Sequence, residues 1–202
     1  MFEVTTDFQE VYNACHNKSM LTLDRLLALW HLVKSTNDIE GDIAELGCHA
    51  GGTSYLMASA MVGKKLHAFD SFEGLSALVP EDATAKGYVH YEGDLKTNRD
   101  PVIKYLSVFP DVIVYPGYVE DTLQNVKDKK FSLVYLDMNI YTPTKYAIEF
   151  MWPRLVKGGY MIFDDYNWEA TPGINKAVNG FFSNIFNYNH YYIYPQLGIK
   201  KS

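Results

Sequence analysis

From Asp42 onward the chain alternates short apolar runs with stretches long enough for a helix, and that rhythm leaves few folds open. The runs are Ile43–Leu46, Leu66–Phe69, Val112–Tyr115, Leu133–Leu136 and Tyr160–Phe163. Between them lie Thr53–Val62, Asp100–Val108, Val119–Val126 and Thr144–Val156. Unbroken apolar runs of strand length mark strands buried on both faces, as in a parallel sheet. Their alternation with helices marks an open α/β sheet. After a further helix at Ile174–Phe182, the segments Tyr188–Tyr194 and Leu197–Lys200 read as two closing strands. Upstream, Leu21, Leu23, Leu26, Leu27, Trp30 and Val33 keep a helical period, with Asp24 and Arg25 off the stripe. Phe8–Ala14 reads as a weaker helix. The expected architecture is a single α/β domain over 1–202. It consists of a doubly wound, mostly parallel, Rossmann-like sheet over 41–202 and an N-terminal helical cap over 1–40.

The length of 202 residues, 48% of them apolar and 21% charged, suits one globular domain with a full core. A net charge of −6 has the wrong sign for a nucleic-acid footprint. No apolar stretch approaches the ~20 residues of a membrane span. The start, with Glu3, Asp7 and Glu10, is unlike a secretory signal. Two cysteines, Cys15 and Cys48, make no disulfide framework and fit a reducing cytoplasm. The expected partner is a small molecule rather than nucleic acid or membrane, while the aromatic tail leaves room for a homo-oligomer.

The polar residues fall at the carboxyl ends of the runs: Glu45 with Gly47, then Asp70, Gly117, Asp137, and Asp164 with Asp165. Open α/β sheets bind their ligands outside that edge, where the strand order reverses. Any one aspartate there is accounted for as a helix N-cap. Capping does not account for so many at one edge.

The first group is ELGCHAGGTS at Glu45–Ser54. Gly51 and Gly52 allow close approach of backbone to a ligand, and Thr53 or Ser54 is expected to cap the helix behind them. A dinucleotide fingerprint needs glycines at the first, third and sixth places. Here Gly47 is followed by His49 and then Gly52, which argues against a pyrophosphate and a nicotinamide dehydrogenase. Glu45 suits a cationic or amino-bearing ligand. Asp70, 18 residues beyond Gly52 at the next strand end, stands where a carboxylate commonly holds a ribose. Together these read as a nucleoside pocket without a phosphate loop, which S-adenosylmethionine fits.

The second group is Asp137 with Asp164 and Asp165. Like charges brought to one point must share protons or a cation. An oxygen-only set selects a hard ion such as magnesium. The irregular segment 76–98, with Pro80, Gly87 and Gly93, reads as a lid. His49 and Cys48 are assigned local packing, and His90 is a lesser candidate for touching an acceptor. The aromatic tail is read as sheet core before sugar platform.

Five blocks carry a further signal: GDIAELGCHAGGTS at Gly41–Ser54, HAFDSFEGL at His67–Leu75, YPGYVEDTL at Tyr115–Leu123, LDMNIYTPT at Leu136–Thr144, and the run from Pro153 through LVKGGYMIFDDY to Tyr166. In this order and spacing they resemble the macrocin-type O-methyltransferases, from about Leu21 to Phe181. The resemblance implies an S-adenosylmethionine- and magnesium-dependent transfer of methyl to a sugar hydroxyl of a glycosylated metabolite or glycan precursor. By it, Glu45, Gly47 and Gly51, with Thr53 and Ser54 beside them, would line the methionine part of the cofactor. Asp70 would take the ribose, and Ser71, Gly117 and Tyr118 would border the adenine. Asp137, Asp164 and Asp165 would hold the metal. The family usually carries a second aspartate where this chain has Asn139, and an amide cannot act as a base. Asp137 is therefore expected to serve as ligand and general base together. The alternatives are a phenolic or other small-molecule hydroxyl as acceptor, or a cofactor-binding module without catalysis.

Overall fold

Alternate residues of each central strand face opposite helical layers, and this two-sided burial is why the strands read as apolar throughout. The computed structural model describes residues 3–202. Two helices come first, α1 (Thr6–Cys15) and α2 (Leu23–Ser35), followed by β1 (Asp42–Leu46), α3 (Gly52–Ala60) and β2 (Leu66–Asp70). Next come α4 (Arg99–Leu106), β3 (Val112–Pro116), α5 (Val119–Thr122), β4 (Phe131–Leu136) and α6 (Tyr141–Met151). The chain closes with β5 (Leu155–Phe163), α7 (Pro172–Phe182), β6 (Asn189–Ile193) and β7 (Gln196–Lys200). The sheet runs β3-β2-β1-β4-β5-β7-β6. β1 to β5 are mutually parallel, and β7 joins β5 and β6 antiparallel. The doubly wound, mostly parallel α/β sheet is thus as expected. No helix among the described residues is long and apolar enough to cross a membrane.

On one face Ile43, Leu133, Tyr135 and Ile162 pack with Leu26, Leu29, Trp30 and Val33 of α2 and with Leu56 and Met57 of α3. On the other, Ala44, Leu46, Val134, Leu136, Met161 and Phe163 pack with α6 and α7 through Ala147, Ile148, Met151, Ile174, Val178 and Phe182. Fully burying one such aliphatic side chain contributes about 1.5–3 kcal/mol. With Leu26, Leu29 and Val33 at 0% exposure, α2 is an integral layer of the core.

Three boundaries differ from the sequence expectation. The helix expected over Thr144–Val156 occupies Tyr141–Met151 and tightens to a 3-10 turn at Trp152–Arg154. Pro153 lacks the N–H that an α-helix would need there. β5 therefore begins at Leu155, five residues earlier than its apolar run. The segment expected as Val119–Val126 is α-helical only to Thr122 and continues as a 3-10 turn over Leu123–Val126.

The segment 76–98 is irregular, as expected, but its base is fastened. The Leu75 N–H donates to the Asp94 carbonyl and the Gly93 N–H to the Leu75 carbonyl, each at 2.9 Å. Buried Asp82 accepts from the Tyr141 amide at 2.7 Å and the Val79 amide at 3.1 Å. Lys176 Nζ donates to the Glu81 carbonyl at 2.6 Å. A Cβ at position 173 would lie 2.0 Å from Asp82 Oδ1, so Gly173 lets α7 close on this anchor. Loss of one partner leaves a buried donor unpaired, at a cost of about 1–3 kcal/mol. Asp82→Ala is expected to lose that much in chemical denaturation and to gain protease cleavage between residues 83 and 95.

Candidate active site

The strand order reverses between β1 and β4, and the backbone there sets the site. The Asp137 N–H donates to the Leu46 carbonyl and the Asp164 N–H to the Leu136 carbonyl, both at 2.9 Å. These bonds carry the ladder one residue past each strand and hold the two aspartates at adjacent exits. Gly47 has φ +93°, and a Cβ on it would lie 2.0 Å from the Asp137 carbonyl oxygen. Only glycine allows this approach.

Two cavities open on this edge and share Asp137. The first is walled by Gly47, Asp70, Ser71, Tyr118 and Asp137, with Phe69, Leu75, Met138 and Leu95 as apolar surface. The second is walled by Arg25, His90, Asn139, Asp164, Asp165, Trp168 and Tyr194 together with Asp137. Asp70 accepts from the His49 amide and the Phe72 amide, both at 2.7 Å. A carboxylate has lone pairs beyond those two bonds with which to hold a further hydroxyl. Burial raises its pKa against the effect of those amides.

The glycine turn is built differently from expectation. The N-cap of α3 is Gly51, in the left-handed region at φ +82°, and no side chain caps the helix. The Thr53 and Ser54 hydroxyls instead donate to the two carboxylate oxygens of Glu45. The reason is the pleat: Glu45 shares its face of β1 with Ile43, toward α3. It is fully buried there, rather than open to a ligand. Burial pushes its carboxyl up to about 7, against the two hydroxyl bonds. Gly47, Asp70, Ser71 and Tyr118 line the first cavity, whereas Glu45, Gly51, Thr53, Ser54 and Gly117 are not among its lining residues.

Asp137, Asp164 and Asp165 each offer an oxygen, all within 4.8 Å of one another. The sequence reasoning brought these three together but missed their partner. Arg25 of α2 is 8% exposed and places Nη1 2.6 Å from Asp164 Oδ2 and 3.6 Å from Asp165 Oδ1. A cation embedded in the run LDRLLALW was the available signal, because an arginine on a buried helix must find an anion. One arginine does not neutralise three carboxylates. Burial, then the charges of Asp164 and Asp165, hold Asp137 well above the usual carboxylate range. Burial and Asp164 push Asp165 up to about 7. Backbone strain gathers at the same edge: His49, Phe72, Asn139 and Asp165 all have left-handed φ, between +47° and +63°. Such strain persists where surrounding structure overdetermines it, typically at functional sites.

Two cavities and an acidic cluster thus lie together at the reversal of a doubly wound α/β sheet. The chain belongs to the macrocin-O-methyltransferase (TylF) family, whose model matches residues 13–185. It is 28% identical over 166 residues to the 8-demethyl-8-(2,3-dimethoxy-alpha-L-rhamnosyl)-tetracenomycin-C 4'-O-methyltransferase of Streptomyces olivaceus. That match covers 75% of this chain and 64% of the relative, so the chain spans less than two thirds of that protein. Among solved structures, the O-methyltransferase NovP superposes with a TM-score of 0.77 at 22% identity, over 92% of this chain and 82% of that one. An O-methyltransferase from Bacillus cereus, in complex with SAH, superposes at 0.61 with 15% identity, over 100% and 93% of the two chains.

Two outcomes are expected from the electrostatics. Removing one partner of a buried ion pair strands the other, at about 3–5 kcal/mol. Arg25→Ala should lose stability of that order in urea denaturation, and added magnesium should restore part of it. Glu45 and Asp165, at about 7, hold protons in the folded chain that unfolded carboxylates release near roughly pH 4. Stability from this source is therefore full at low pH and falls as pH rises toward 7. Melting temperatures measured without divalent cation should decline over that window. The stabilisation by magnesium should grow over it, because carboxylate ligands must be deprotonated.

Proposed function

We propose that the chain is an S-adenosylmethionine-dependent O-methyltransferase that uses magnesium and acts on a sugar hydroxyl of a glycosylated small molecule. The observation that carries this reading is Asp137, which belongs to the walls of both cavities. One side suits a nucleoside: Asp70 offers carboxylate oxygens to ribose hydroxyls, and Phe69, Leu75, Met138 and Tyr118 offer apolar surface to a base. The other side holds the only trio of metal-competent side chains among the described residues, Asp137, Asp164 and Asp165. Three carboxylate donors fit a hard divalent ion. The acceptor class is supported by family membership and by the rhamnosyl substrate in the tetracenomycin relative's name. Cys15 and Cys48 are both unpaired, in keeping with a reducing cytoplasm.

An alcohol is a weak acid, close to water with its pKa of about 15.7. A bound divalent ion supplies Lewis acidity to such a hydroxyl. The protein's own contribution is placement. Asp137 lines both cavities, so a cofactor held in the first and an acceptor held in the second would both lie against it. Fixing two reactants in a near-attack pose removes about 7–11 kcal/mol of barrier. The segment 76–98 supplies Ser76, His90 and Leu95 to these walls and is proposed to exclude water as a lid.

Calorimetric titration with S-adenosylhomocysteine, with and without magnesium, tests the reading. The nucleoside should bind, and a separate magnesium signal should vanish in Asp164→Ala. Asp137→Asn should abolish methyl transfer while S-adenosylhomocysteine affinity changes less than about threefold, within 0.6 kcal/mol. Binding of neither ligand would overturn the proposal. Turnover of catechols but not of sugars would move the acceptor to a phenolic hydroxyl.

A further inference from the structure

Among the described residues, three buried polar side-chain atoms have no hydrogen-bond partner: Trp30 Nε1, the Tyr135 hydroxyl and His90 Nε2. Trp30 and Tyr135 lie in the core between the sheet and α2. His90 instead belongs to the wall of the second cavity. Its ring thus belongs to a cavity wall while its Nε2 has no hydrogen-bond partner.

The other polar groups on that wall are committed or unsuited to taking a proton. Asp164 accepts from Arg25 at 2.6 Å and from Gln196 at 3.5 Å, and Asp165 faces the same guanidinium at 3.6 Å. Asp137 completes their trio. Arg25 is a donor only, and the Asn139 amide is no base. An imidazole is the side chain most often used to accept a proton in a transfer step. The backbone fixes where this one stands. Next to His90, the Tyr91 N–H donates to Asp94 Oδ2 at 2.8 Å and the Asp94 N–H returns to the Tyr91 carbonyl at 3.1 Å. That turn is joined to Leu75 at the base of the segment.

We propose that His90, rather than Asp137, is the catalytic base of the methyl transfer, an assignment that rests on the methyltransferase reading above. The acceptor O–H proton passes to His90 Nε2 as the oxygen forms its bond to the methyl carbon. The methyl–sulfur bond breaks, and its electron pair stays on sulfur. The positive charge of the sulfonium is thereby exchanged for that of an imidazolium. The charged and titratable groups that share the wall with His90 are Asp137, Asp164, Asp165, Arg25 and Tyr194. Asp137 is left free to act as a ligand, a role in which a carboxylate is a poor proton acceptor. The base then travels on the 76–98 segment rather than on the sheet.

The test compares the wild-type chain with His90→Gln and His90→Ala. One arm follows methyl transfer from S-adenosylmethionine to sugar acceptors, beginning with methyl α-L-rhamnoside. The other follows the His90 ring protons by NMR while manganese is titrated in the presence of S-adenosylhomocysteine. His90→Gln should keep the acceptor KM and S-adenosylhomocysteine affinity and lose about 10²-fold or more in kcat. Manganese should broaden the His90 ring signals, and should cease to do so in Asp164→Ala. A wild-type kcat in either variant would overturn the assignment and leave the methyltransferase reading standing, as would His90 signals untouched by bound manganese. If the wild-type chain neither turns over any sugar nor binds manganese, both readings fall together.

Discussion

Three carboxylates within 4.8 Å of one another are a configuration that a folded chain cannot hold by itself, and much of this structure is arranged to permit it. The repulsion is met from the far end of the sequence. Arg25 crosses from α2 to Asp164, a separation of 139 residues. For that guanidinium to arrive, α2 must lie flat on the sheet, and it does so through Leu26, Leu29 and Val33. The N-terminal helix is thus packed by apolar burial and aimed by charge. Beyond the Arg25–Asp164 pair, the other two carboxylates must share protons or a cation, and a hard divalent ion suits such oxygen donors.

Much of this was legible in the sequence. The five parallel strands and the reversal edge follow from apolar runs that have no polar face, because burial on both sides removes the alternation seen in half-exposed strands. The aspartates stood out because they terminate those runs. The places where the reading slipped are physically specific. Glu45 looked like a ligand contact because it lies near the glycine turn. A strand's two-residue period turns it under α3 instead, and only knowledge of which face α3 covers reveals that. Thr53 and Ser54 looked like caps because position in sequence cannot tell a hydroxyl that bonds the helix backbone from one that bonds a buried acid. Arg25 reads only as a residue off the apolar stripe, because its partners are brought near only by the tertiary fold.

The two cavities divide the chemistry along the sheet's own symmetry. The exits of β1 and β2 carry the groups suited to a nucleoside, and the exits of β4 and β5 carry the acids. Asp137 stands at the seam because β1 and β4 are neighbours despite their distance in sequence. Gly47 makes the seam narrow. Without a side chain at that position, the exit of β1 touches the backbone of Asp137, and the two cavities share Asp137 together with Met20, Leu95 and Asn139.

The paired hydrogen bonds between Leu75 and the Gly93–Asp94 turn make the intervening segment a loop closed at its own neck. The entropy of closing such a loop rises only slowly with length, by about 0.6 kcal/mol for each doubling. The loop is also pinned beyond its neck, by Asp82 to the Tyr141 amide and by the Glu81 carbonyl to Lys176. Only the stretch between Asp82 and the Gly93–Asp94 turn can change length at that small cost. His90 lies in that stretch, so a change there would alter acceptor fit and the proposed proton transfer together.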